Sequence, residues 1–169
     1  GGTDLVLTTT TAADGTYGFG GLPDGDYTVT VNPATLPGGV TPVFDFDGGI
    51  DNTSTTTIAG ADDLDQDFSY TGTGSIGDLV WNDLDDDGVQ GAGEDGLAGV
   101  DVTIVWTDPI TGATTTIETT TDADGGYLVE NLPAGDYTVS IDPATLPDGM
   151  APTHDLDGGD DRTADLELD

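Results

Sequence analysis

The chain has 169 residues, with 34 acidic side chains against a single basic one, Arg162, a formal net charge of −33 and no cysteine. That excess repels nucleic-acid phosphates and anionic membrane surfaces, which makes both poor partners, and the missing thiols exclude disulfides and thiolate metal sites. Hydrophobic residues make up only 34% and no apolar run approaches the ~18 residues of a spanning helix, so membrane insertion of this segment is not expected.

Taken in order, Leu5, Val6 and Leu7 followed by threonines predict a strand over 5–11, and Asp14-Gly15 a turn, with Tyr17 and Phe19 alternating on one face. Asp26 to Val31 alternates with strict period two, placing Tyr27, Val29 and Val31 on the side of a half-buried antiparallel strand. Residues 33–39 read as loop and Asp45 to Gly49 as an acidic turn. A threonine strand follows at 53–58, and a last strand is expected from Leu64 to Tyr70. Thr71-Gly72-Thr73-Gly74 reads as a short, flexible boundary. Beyond it, residues 75–81 begin a second unit. Gly99 to Trp106 and Thr114 to Thr121 read as strands joined by a hairpin loop at 108–112, and Leu166 to Leu168 as a truncated final strand. No segment carries a 3.6-residue apolar period, so the fold class is all-β.

The organisation is repetitive. Residues 10–49 align with 120–159 at an offset of 110, with 24 of 40 positions identical. Residues 1–72 are therefore the later part of one repeat and 73–169 a second, nearly complete one. The first copy lacks a counterpart of the opening strands. It reads either as a cut through a longer array or as a subunit whose strands are supplied by a neighbour, by strand exchange along an open sheet edge.

One stretch carries the chemistry. From Asp83 to Glu94 the chain reads D-L-D-D-D-G-V-Q-G-A-G-E, with carboxylates at Asp83, Asp85 and Asp87, a glycine at 88 and a closing glutamate. This spacing offers a hard cation three carboxylates, the carbonyl of Val89, a water or carbonyl near Gly91 and a bidentate Glu94. The flanks are β-like, so a Ca²⁺ loop grafted between strands is expected. A second candidate recurs in both copies in D-x-D-G-G-x-D form, as Asp45, Asp47 and Asp51 and as Asp155, Asp157 and Asp161. Its alternative reading is a glycine-rich hairpin with solubilising charges. His154, the single histidine, stands where the first copy has Phe44 and reads as packing rather than catalysis.

I-G-D-L-V-W (76–81), the acidic loop, G-L-A-G-V-D-V-T (96–103), T-D-A-D-G-G-Y (121–127) and N-L-P-A-G-D-Y-T-V (131–139) together resemble the calcium-binding B repeats of serine–aspartate repeat surface proteins, within the collagen-adhesin B-type, prealbumin-like sandwiches. The resemblance implies tandem Ig-like sandwiches of about seven strands on the bacterial cell surface, stiffened by Ca²⁺ and by adjacent repeats, and acting as stalk, spacer or fibre unit rather than enzyme. Many relatives carry a Lys–Asn isopeptide cross-link. Without a lysine, this chain cannot form one. Two other readings remain at this level: a ligand-binding adhesin module, for which Trp106 is the one nameable anchor, and an accessory sandwich of a secreted enzyme.

Overall fold

The computed structural model describes residues 5–153, 155 and 162–169. It is all-β, with sheets that do not close into a barrel. In chain order the strands are β1 (Gly25–Thr30), β2 (Val40–Asp45), β3 (Thr53–Ile58), β4 (Phe68–Gly72), β5 (Gly74–Leu79), β6 (Asp101–Thr107), β7 (Thr114–Thr120), β8 (Gly126–Leu132), β9 (Gly135–Ile141) and β10 (Thr163–Leu168).

The second repeat is the better built. A four-stranded antiparallel sheet in the order β10-β9-β6-β7 faces the pair β5-β8. Alternation in β6 and β9 sends Val102, Ile104, Tyr137 and Val139 inward, where Ile76 of β5 and Leu132 of β8 meet them. Burying each such aliphatic side chain contributes about 1.5–3 kcal/mol. Trp106 packs against this cluster, half-buried, and its indole N–H donates to the Ala134 carbonyl at 3.3 Å, so it is a core residue rather than a free anchor. Between β6 and β7 the Asp108 carboxylate accepts from the Ile110 N–H (2.8 Å) and the Thr111 hydroxyl (2.6 Å), which closes the expected hairpin loop.

L-P-x-G-D-Y builds the same corner in each copy. The Tyr27 hydroxyl donates to the Pro23 carbonyl at 2.8 Å and Tyr137 to the Pro133 carbonyl at 2.7 Å. Burial pushes the Tyr137 phenol up to about 12. A group whose folded pKa is raised stabilises below its unfolded value, and that contribution is lost as pH rises through the folded value. Stability should therefore fall between about pH 10 and 12. Tyr137→Phe should remove about one proton's worth of that slope in urea titrations, and an unchanged slope would contradict it.

In the first repeat, among the described residues, β1 pairs only with β3, in the same register that β9 keeps with β10, and β2 pairs with β4 across a bulge between Pro42 and Phe44. Three expectations are corrected. Residues 5–11 form no strand, and Leu5, Val6 and Leu7 are exposed. Leu64 is 85% exposed and the last strand begins only at Phe68. The boundary is not a loose linker. β4 and β5 are separated by Thr73 alone, whose N–H and hydroxyl both donate to the Gly39 carbonyl (2.9 and 3.1 Å). A Cβ on Gly72 would lie 2.1 Å from the Leu132 carbonyl carbon, so the backbones of the two copies touch there. Arg162 enters β10 with φ +72°, at the position matching Asn52 (φ +69°) before β3.

Candidate metal centre

The acidic loop hangs between β5 and β6, and an antiparallel bridge from Trp81 to Gly96 closes its base. Two local contacts reinforce that closure: Asn82 N–H donates to the Asp95 carbonyl (3.0 Å) and Leu97 N–H to the Val80 carbonyl (2.7 Å). Gly96 is obligatory at the base, since a Cβ there would sit 1.8 Å from the Asp124 carbonyl oxygen. Inside the loop, Asp86 and Gly88 take positive φ (61° and 72°), reversing the backbone so that alternate carboxylates converge.

Asp83, Asp85 and Asp87 are brought together, each offering an oxygen within 4.8 Å of the other two. Asp83 organises the turn. Its Oδ1 accepts from the N–H groups of Asp86 (2.8 Å) and Asp87 (3.3 Å), and its Oδ2 from that of Gly88 (3.2 Å). Partial burial pulls its pKa upward, but hydrogen bonds from Thr153 and these backbone groups outweigh burial and hold it below the usual carboxylate range. Asp85 shifts the opposite way, raised chiefly by repulsion from Asp87, then by desolvation and by the charges of Glu94 and Asp83. Asp87 turns its Oδ1 to the Val89 N–H at 2.8 Å.

Glu94 is 8% exposed and spans the loop. Its Oε1 accepts from the Leu84 N–H (2.6 Å) and its Oε2 from the Gly91 N–H (2.7 Å), while Gln90 Nε2 donates to its carbonyl (3.0 Å). The Val89 carbonyl and Glu94 Oε2 both border Gly91, 4.0 and 3.6 Å from where its Cβ would be. The donor set is therefore all oxygen and gathers several like charges. It fits a hard divalent cation such as Ca²⁺.

The second candidate folds differently. Asp45 is buried (2% exposed); its Oδ2 accepts from the Asp51 N–H at 2.9 Å, while its Oδ1 is buried without a hydrogen-bond partner among the described residues. Asp47 caps Gly49 (3.3 Å) and Thr55 (3.0 Å), and Asp51 caps Thr53 (3.0 Å). These carboxylates brace the β2–β3 turn and are not gathered as tightly as the three of the loop. Asp155 is half-buried, and Asp157, Asp161 and His154 lie outside the described residues. The buried state of Asp45 and the backbone contact at Gly96 escaped the sequence reading, because both depend on partners distant along the chain.

The model of the SdrD B-like domain matches residues 74–169, which takes in β5 to β10 and the whole acidic loop. The chain belongs to this family. Similarity to longer relatives extends through the first repeat as well. Serine-aspartate repeat-containing protein F of Staphylococcus epidermidis is 40% identical over 167 residues, covering 94% of this chain and 10% of the relative. A fibrinogen-binding protein of the same species is 37% identical over 166 residues (93% and 14%), and serine-aspartate repeat-containing protein E of Staphylococcus aureus 38% over 159 (90% and 13%). The chain thus spans about a tenth of the length of these relatives. Its B-like domain is a repeat module of a bacterial surface protein, located at the cell surface.

Proposed function

We propose that the chain is a calcium-stabilised structural module, a stalk or spacer unit in which residues 1–72 and 73–169 belong to successive B-type repeats and which performs no catalysis. The observation that carries this reading is the convergence of Asp83, Asp85 and Asp87 in a loop closed by the buried Glu94. Bound Ca²⁺ would supply the positive charge that offsets their repulsion and would accept the Val89 carbonyl as a further oxygen ligand. Asp83 pre-forms the loop, Glu94 locks its exit to its entry, and the bridge at Trp81 and Gly96 passes that order on to the base of the sandwich. Because only the folded loop gathers these ligands, binding adds to folding stability, by about 2.7 kcal/mol at a hundredfold excess over the dissociation constant.

The Asp45, Asp47 and Asp51 turn, with its counterpart Asp155, Asp157 and Asp161, is the proposed second ligand set, supported by the unpartnered buried oxygen of Asp45. The hydrogen-bonded joint at Thr73 supports the stalk reading, since it leaves no free linker between copies. Differential scanning calorimetry in EDTA and in calcium tests the proposal. A gain of ~10 °C or more on adding calcium is expected for a domain of this size, and coincident melts would sink it.

A further inference from the structure

Aspartate followed by glycine is open to a self-rearrangement. The glycine amide nitrogen attacks the aspartate Cγ, an N–C bond forms, the carboxyl C–O bond breaks and water leaves. Water then opens the resulting succinimide at either carbonyl, and one of the two products, isoaspartate, carries the main chain through the side-chain carboxyl. Ring closure needs a free amide, a free carboxyl and a peptide able to rotate, so the fold decides which pairs react. The chain has eight Asp–Gly pairs, of which the one at Asp157 lies outside the described residues.

Six of the other seven are held. After Asp14, Asp47 and Asp87 the glycine N–H donates to the Ala12 carbonyl (2.9 Å), the Asp45 carbonyl (3.2 Å) and Asp83 Oδ2 (3.2 Å). The three carboxylates themselves accept from the N–H groups of Thr16 (3.0 Å), Thr55 (3.0 Å) and Val89 (2.8 Å). Asp24 accepts from the Gly60 N–H at 2.9 Å, and Gly25 stands opposite Ile58 in the β1–β3 ladder. Gly125 N–H donates to the Asp122 carbonyl at 3.1 Å, and the Asp95–Gly96 peptide is pinned by the backbone bonds from Asn82 and Leu97 on either side.

Asp148–Gly149 differs. The pair is exposed at the tip of a turn closed by the Met150 N–H on the Pro147 carbonyl (3.3 Å). Among the described residues neither the Asp148 carboxylate nor the Gly149 N–H has a hydrogen-bond partner, and Gly149 (φ +87°) has open space around it. Contact with a neighbouring repeat does not tie this amide. The matching turn of the first copy, Gly38–Gly39, meets Ala134 and Thr73 through its two carbonyls, and its Gly39 N–H is again donated to no described group.

We propose that Asp148–Gly149 is a modification site at which isoaspartate forms spontaneously, while the pair in the metal loop is spared. By holding the Gly88 N–H, Asp83 shields its neighbour Asp87 from the same rearrangement. The product lengthens the main chain by a carbon atom in the turn that corresponds to the joint-forming turn of the first copy.

This inference does not rest on calcium, so its test is run in EDTA. The full chain is aged near neutral pH, and peptic peptides are read by electron-transfer fragmentation, which separates isoaspartate from aspartate. Asp148 should convert at least ~10-fold faster than Asp14, Asp24, Asp47 or Asp87 in the folded chain. The difference should collapse in denaturing urea, where the hydrogen bonds that hold the other pairs are gone. Asp148→Glu, which keeps the charge but disfavours the five-membered ring, should abolish the signal at that turn. Equal rates at all sites in the folded chain would overturn the proposal. So would a preference for Asp148 that persists in urea, because the adjoining sequence and not the fold would then set the rate.

Discussion

Replacing Asp85 by asparagine is expected to raise the melting temperature of the calcium-free chain and at the same time to remove most of its calcium response. Asp85 is the member of the triplet whose charge is least favourable, because Asp87, Glu94 and Asp83 all repel it. Without a cation, neutralising it relieves that repulsion; with one, the same change deletes a ligand. Glu118→Gln on the exposed face of β7 serves as the control, since it removes one charge far from the loop and reports the general relief available to so acidic a chain. The Asp85 variant should exceed the control in EDTA and fall below it in calcium. A solvated acidic turn would make the two variants behave alike under both conditions.

Gly96→Ala should destabilise the chain by about 3 kcal/mol or more, a cost at or above the upper end for overpacking, because the obstruction is main chain. The added Cβ would lie 1.8 Å from the Asp124 oxygen, 2.4 Å from its carbonyl carbon and 2.9 Å from the Gly125 nitrogen. Gly125 cannot retreat, since its own Cβ position is 2.4 Å from the Val80 oxygen. Gly91→Ala makes the contrast. Its nearest neighbour is the Glu94 carboxylate at 3.6 Å, an ordinary contact, so its cost should stay within ~0.5 kcal/mol. Urea titrations in EDTA measure both without interference from metal binding, and equal costs would refute the packing argument.

The features that were legible in the sequence are the local ones. Alternation from Asp26 to Val31 and threonine enrichment at 53–58 and 114–121 marked β1, β3 and β7 to within a residue, and carboxylate spacing marked the loop. Residues 5–11 have the composition of a strand and are not one, because a strand needs a partner and composition cannot supply it. β2 was hidden by Pro42, which lacks a ladder donor and is accommodated next to a bulge. Glycine and threonine at 71–74 suggested slack. There the glycines serve close approach instead, bringing Gly72 onto the backbone of Leu132 and Gly74 beneath Leu168. Flexible and tightly packed uses of glycine look alike until the opposing chain is known.

Arg162, placed in left-handed backbone at the entry to β10, has a consequence for survival outside a cell. With no lysine and no second arginine, a trypsin-like protease has one bond to attack in these 169 residues, that between Arg162 and Thr163. The strand that follows is zipped to β9 from Thr163 to Leu168, which opposes the extended, unpaired conformation such proteases bind. Acylating and amine-crosslinking reagents likewise find no side-chain amine. A composition that forgoes covalent bracing by lysine thereby also forgoes most of the positions at which trypsin-like proteases and amine-directed chemistry act.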